Sequence, residues 1–477
     1  LARNRLARGK HRCRILAADR VPTLAKHFSI SRLAFGVSCL FLAFLGGFVV
    51  CHFRLFPHAI LAPALDQAEQ LLTGKGATLH HQTLARHDFV GVVVHDQDNG
   101  SAPPTRDPLT SGLILLTSYW PEHDWRPGIR LIDRSGKVLH DWDIDTHSIW
   151  PESPYHDGSE IFCGQETYVH GTYLFENGDV LLNVEYRGLV RLDAAGKVLW
   201  HLDRHTHHAI SRDDDGNFWV CEMRWITDIS EALTRFFGLI PPFTEDRILK
   251  VSPAGEVLQE ISMLDLICHG EFKSLLWRAG PEAPTRTIDP LHLNDIEPLS
   301  AAMANQYPLF AAGDLVVSLY QLNLVFVFDP KTKRVKWHSC MSLVHQHDPD
   351  FIGGGRISVF NNNADGTPDG AILGGTQLLA FDTNSPSIEQ IYPSPSAKPD
   401  HERKFYTPVG GKAQLLDGGH WLLTEAVAGR VFEIDREGRT IWEWGQQRRE
   451  HGREISEVLE GTWYPYSAEQ VASWTHR

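Results

Sequence analysis

A short aliphatic strand ending in aspartate, or once in serine, recurs six times along this chain, at Asp133, Asp193, Ser252, Asp329, Asp382 and Asp435. The copies read LIDRSGKVLHDW, RLDAAGKVLWHL, KVSPAGEVLQEI, VFDPKTKRVKWH, AFDTNSPSIEQIY and EIDREGRTIWEW. Each is a hairpin signature. An aspartate can bond to the backbone just after it, a glycine supplies a positive φ in most copies, and apolar alternation then resumes. The first strand carries Leu131 or Val190, and the second is expected to turn Leu139 or Leu199 to a buried face. The separations of 60, 59, 77, 53 and 53 residues match four-stranded propeller blades with loops of different length. A β-sandwich needs no such period.

Second hairpins stand upstream of several copies, turning at Asn177-Gly178, Asp215-Gly216 and Asp417-Gly418, and leave room for four short strands per unit. The expected fold is therefore all-β, a six-bladed propeller over 111–477. One short helix is predicted within 226–238, inserted in the third unit.

The N-terminal region reads differently. Leu33–Cys51 is an uncharged run of 19 residues, preceded in 1–32 by nine basic residues and one acidic residue. The run approaches the length needed to cross a bilayer, and the basic leader favours a cytoplasmic N-terminus. The expectation is a leader (1–32), a transmembrane signal anchor (33–52) in the cytoplasmic membrane, and a membrane-proximal helix and linker (53–110). The propeller would then lie in the periplasm. A cleaved signal peptide is the other reading of the same run.

The leader contributes +8 to a net charge of −14, so the remainder carries −22. So acidic a domain would repel a phosphate backbone, and no nucleic-acid partner is expected. Cys163, Cys221, Cys268 and Cys340 permit one or two disulfides in an oxidising compartment, with isolated thiols as the competing reading. No CxxC or close Cys/His pair argues for zinc, and no metal is assigned.

Histidine is the chemistry-bearing residue. Of 26, His170, His207, His208, His292 and His347 stand where inner strands begin. Innermost strands line a propeller's channel, so residues far apart in sequence can converge there. Converging imidazoles suit nucleophilic attack, proton transfer or a transition metal.

The segments HHAISRDDDGNFWV, HLNDIE, QHDPDFIGGGRISVFNNN and LLTEAVAGRVFEIDREGRTIWEWG resemble the bacterial arylsulfate sulfotransferase family over about residues 111 to 446. The resemblance implies transfer of a sulfuryl group from a phenolic sulfate ester to a phenolic acceptor through a sulfated histidine. It calls for no nucleotide sulfate donor and no cofactor. The histidine of the QHD motif is His347, which becomes the nucleophile. His292, in the H-x-N motif, and His208, in the double-histidine motif, become its catalytic partners. Asn294 and Asp348 become candidates to orient the rings, and Asn294 and His170 also to bind substrate.

Two positions depart from the family pattern. An arginine in an S-x-R element is replaced by Tyr320, after Ser318 and Leu319, and FNNN at 360–363 stands where FDNG is usual, with Asn361 in place of the acid. Arg224, in WVCEMRW, is the candidate replacement cation, and Tyr320 and Arg224 join the candidate substrate-binding residues. The competing function is a noncatalytic propeller that binds a small ligand or an exported protein partner.

Overall fold

The computed structural model describes residues 111–155, 168–236, 239–277, 288–367, 370–395, 405–446 and 456–474, together with six positions between Phe35 and Leu45. Six four-stranded antiparallel sheets form the blades of a propeller. Their innermost strands are Val458–Tyr464, Val169–Leu174, His205–Arg212, Leu293–Pro298, His347–Gly353 and Lys412–Leu416, in blades 1 to 6. Blade 1 takes its inner strand from the C-terminal part of the chain, with Leu113 opposite Tyr464 and Leu116 opposite Gly461. This pairing closes the ring and removes two open sheet edges.

Each repeat aspartate or serine sits at the turn into the outermost strand. The side chains of Asp133, Asp193, Ser252, Asp329, Asp382 and Asp435 accept the backbone N–H two residues on at 2.8–3.3 Å. The predicted helix is observed at Ile229–Arg235, capped by Asp228.

Six large apolar clusters among the described residues hold the ring, one in each seam between neighbouring blades, and Tyr186 and Met223 add a small one between blades 2 and 3. The two-residue period of a strand explains how. Val180 and Leu182 face blade 1, beside Leu115, Ile129 and Trp142. Leu181, between them in sequence, faces blade 3, beside Phe218, Val220 and Leu249. The middle strands are thus apolar on both faces. The outermost strands are not: Leu199 is 48% exposed, contrary to the buried position expected for it, because an edge strand packs against only one neighbour.

Among the described residues no helix is long and apolar enough to cross a membrane. This corrects the expectation of a transmembrane anchor over 33–52, and with it the membrane partner, the single-pass membrane location and the periplasmic placement derived from it. A span needs roughly 20 consecutive apolar helical residues; most of 33–52 lies outside the described residues, and an apolar run alone does not carry the assignment. The leader, the linker and Cys163 also lie outside them. Cys221, Cys268 and Cys340 are free thiols.

Candidate active site

Four consecutive inner strands carry an irregularity at the same level, their register shifting between Val169 and Thr172, His207 and Ile210, Leu293 and Asp295, and His347 and Asp350. Left-handed backbone at Gly171, His208, His292 and Asp348 accompanies these shifts. A bulge re-aims the side chains around it, and non-glycine residues with positive φ concentrate at functional sites. The result is a ring of imidazoles at one level of the channel. His208 lies 4.5 Å from His170, 5.1 Å from His292 and 6.3 Å from His347, ring centre to ring centre. A cavity of about 70 Å³ beside them is lined by His170, His208, Asn294, His347, Lys412 and Glu460, among others.

Gly171 shows how tightly this level is built. A Cβ there would lie 1.8 Å from the His208 carbonyl oxygen, and φ is +82°. Gly171→Ala is expected to lower unfolding free energy by about 2 kcal/mol or more, from overpacking and backbone strain; chemical denaturation measures this, and a change under about 0.5 kcal/mol would contradict it.

The tautomer of His347 follows from its neighbour Asn362. The Asn362 amide nitrogen donates to the carbonyls of Thr407 and Gly410 at 2.8 and 2.7 Å. Its oxygen therefore faces His347, whose Nδ1 lies 2.8 Å away. A carbonyl oxygen only accepts, so Nδ1 carries the proton and Nε2 keeps its lone pair. Burial pushes His347 down to about 3, against the pull of the Asn362 bond. The imidazole is neutral at ordinary pH.

Burial likewise pushes His170 down to about 4 and His207 to about 3, and with its neighbouring imidazoles holds His208 well below the usual value. His292 differs in having its ring hydrogen-bonded to a carboxylate. Asp289 Oδ2 lies 2.6 Å from its Nδ1, and Asp289 also accepts the His292 N–H and the Thr244 hydroxyl. Burial raises the Asp289 carboxyl, yet His292, with His207 and the Thr244 hydroxyl, more than offsets this and leaves it below its ordinary value.

Tyr320 is buried between the histidines, 5.0 Å from His292 and 5.6 Å from His347, and stacks on His345 at 4.3 Å. Asn294 lines the cavity, its nitrogen donating to the Gln346 carbonyl. Asp348 accepts the Ala413 N–H from blade 6; the ring-orienting contacts at His292 and His347 come instead from Asp289 and Asn362. Arg224 does not join the group, because its guanidinium is engaged by Glu231 and Glu245. Lys412 is in the cavity but donates to Glu460 at 2.8 Å. Sequence reasoning missed Asp289, Asn362 and Glu185. Of these, Asp289 had a local signal, an acid three residues before a histidine, and Asn362 stands next to the departure noted at Asn361.

The buried ionisable groups give stability a pH dependence of opposing signs. Burial lowers His345 to about 4 and His347 to about 3. The unfolded chain then binds more protons than the native one below about pH 6.5, so their contribution is present above that and lost as pH falls. Burial raises Glu457 to about 8 and also raises Glu297. Here the native state holds the extra protons, and the contribution is lost as pH rises above about 4.3 toward 8. Between about pH 6.5 and 8 only the carboxylates still change, so stability is expected to fall, on the order of 2 kcal/mol from Glu457. Thermal unfolding across that range checks this, with a shallower slope in Glu457→Gln; a rising Tm would contradict it.

The family model described as Arylsulfotransferase (ASST) matches residues 171–448, more than half of the chain and five of the six blades. No curated protein matches the chain. Among solved structures, a protein of unknown function from Bacteroides caccae is 13% identical over 74% of this chain and 100% of that one, with a TM-score of 0.44. Virginiamycin B lyase from Staphylococcus aureus is 11% identical over 76% and 88%, TM-score 0.35, and TolB from Acinetobacter baumannii 10% over 74% and 66%, TM-score 0.39. Likeness this distant adds nothing about chemistry. On the family match and the six-bladed propeller, the chain belongs to the arylsulfotransferase family.

Proposed function

We propose that this chain transfers a sulfuryl group from an aryl sulfate ester to a phenolic acceptor, with His347 as the nucleophile. The observation that carries this reading is the His347–Asn362 contact, which leaves a neutral imidazole with its Nε2 lone pair available in a ring of further imidazoles. In the first half-reaction Nε2 forms a bond to sulfur as the bond between sulfur and the aryl oxygen breaks. The electron pair goes to the departing phenolate, which takes a proton from His292. Asp289 steadies the imidazolium form of His292 that supplies this proton, as a carboxylate at Nδ1 does. In the second half-reaction the acceptor phenol gives its proton to His292, its oxygen attacks sulfur, and the N–S bond breaks. His208 and Asn294 contact the sulfuryl oxygens.

The test is peptide mass mapping after incubation with an aryl sulfate in the absence of acceptor. A sulfuryl increment on His347 is expected; absence of both the adduct and phenol release across a panel of aryl sulfates would overturn the reading. A noncatalytic binding propeller is favoured by one observation, the neutral aromatic Tyr320 packed among the histidines where the family's arginine is expected. The same experiment separates the two, because a binding module forms no adduct.

A further inference from the structure

Sulfuryl transfer develops negative charge on oxygens that need a cation or strong donors nearby. This cavity has little of either to spare. Tyr320 is uncharged, Arg224 is committed to Glu231 and Glu245, and Lys412 is committed to Glu460 in a cavity that Asp295, Asp348 and Asp350 also line.

Two of the histidines that line the cavity belong to a group of a different kind. His170, Glu185 and His208 bring three ligand atoms within 4.8 Å of one another. Glu185 Oε1 lies 3.0 Å from His208 Nδ1, and Glu185 Oε2 lies 3.8 Å from His170 Nδ1. Ligands at zinc's usual bond lengths of about 2.0–2.2 Å stand roughly 3–4 Å apart, so both separations suit one shared ion.

Glu185 is a second, independent pointer. It is 2% exposed, yet among the described residues Oε1 makes no hydrogen bond. Among the described residues no lysine or arginine pairs with it. Its other oxygen accepts the His208 backbone N–H, and a buried polar oxygen left without a partner is costly whatever its charge. Two imidazoles and one carboxylate, with coordination positions left open, form the donor set of a catalytic rather than a closed structural zinc site.

We propose that His170, Glu185 and His208 bind a zinc-class divalent cation whose open position faces the cavity shared with His347. The cation supplies the positive charge that the tyrosine at position 320 does not. His208 then acts on the sulfuryl oxygens through the ion. The catalytic part of this proposal rests on the transfer reading; the binding part does not.

The full chain, stripped with a chelator and titrated with Co2+, is expected to take up one ion per chain with visible ligand-field bands, and Zn2+ should displace it. Glu185→Gln and His170→Gln should each lose the bands, and His347→Ala should keep them. Circular dichroism identifies a variant that fails to fold, and the other then decides. No bands in the wild-type chain, or bands retained in the folded variants, would overturn the site. Metal removal is expected to lower phenol release by about 100-fold or more, with recovery on adding Zn2+. If the His347 adduct forms as fast in stripped protein, the catalytic role falls while the transfer reading stands.

Discussion

His347→Ala is expected to lower phenol release from an aryl sulfate by about four to six orders of magnitude, the scale on which removing a covalent nucleophile acts. The loss should appear in kcat and kcat/KM together, because the bond from Nε2 to sulfur exists only beyond the ground state. Folding should survive. The ring is held by the six interblade clusters, and His347 belongs to none of them. Added imidazole should restore part of the rate to the folded variant, with sulfuryl transfer to the free imidazole. A variant retaining a tenth or more of wild-type activity would remove His347 from the role of nucleophile. Asn362→Leu should act in the same direction more weakly, since it frees the ring to take the other tautomer without removing the nucleophile.

The elements that repeat were legible because each obeys a local rule. Aspartate, or serine in one copy, followed by a turn marks all six outer hairpins, since the bond from its side chain to the N–H two residues on needs only neighbours in sequence. The convergence of His170, His208, His292 and His347 was legible one step further on, because a closed ring of blades brings equivalent strand starts together. The closing strand was not legible. Val458–Tyr464 carries no repeat marker, and its pairing with Leu113–Trp120 depends on contact between the two ends of the propeller.

The contacts that set chemistry were hidden for a related reason. Asn362 meets His347 from just past the end of the strand paired with it, and its amide is oriented by carbonyls of Thr407 and Gly410, more than forty residues on. Arg224 looked free in sequence because the acids that hold it, Glu231 and Glu245, come from the inserted helix and the next strand. The bulges that aim the histidines leave only Gly171 as a local trace.

Asp289→Asn carries the second large effect, an expected loss of about 10²–10⁴-fold in phenol release. The carboxylate touches no substrate in this reading; it acts as a positioning residue through its 2.6 Å contact with His292 Nδ1. An asparagine there cannot balance the positive charge of an imidazolium, so it no longer supports His292 as the donor of the proton. One readout separates this from structural damage: the loss should depend on the leaving group. Phenols with ordinary values near 10 need the proton as they depart, whereas strongly acidified phenols leave as stable anions without it. Asp289→Asn should therefore be most defective with the former and close to wild type with the latter. A uniform loss across donors would mean that Asp289 shapes the site rather than the acid, and proton delivery would have to be assigned to another group.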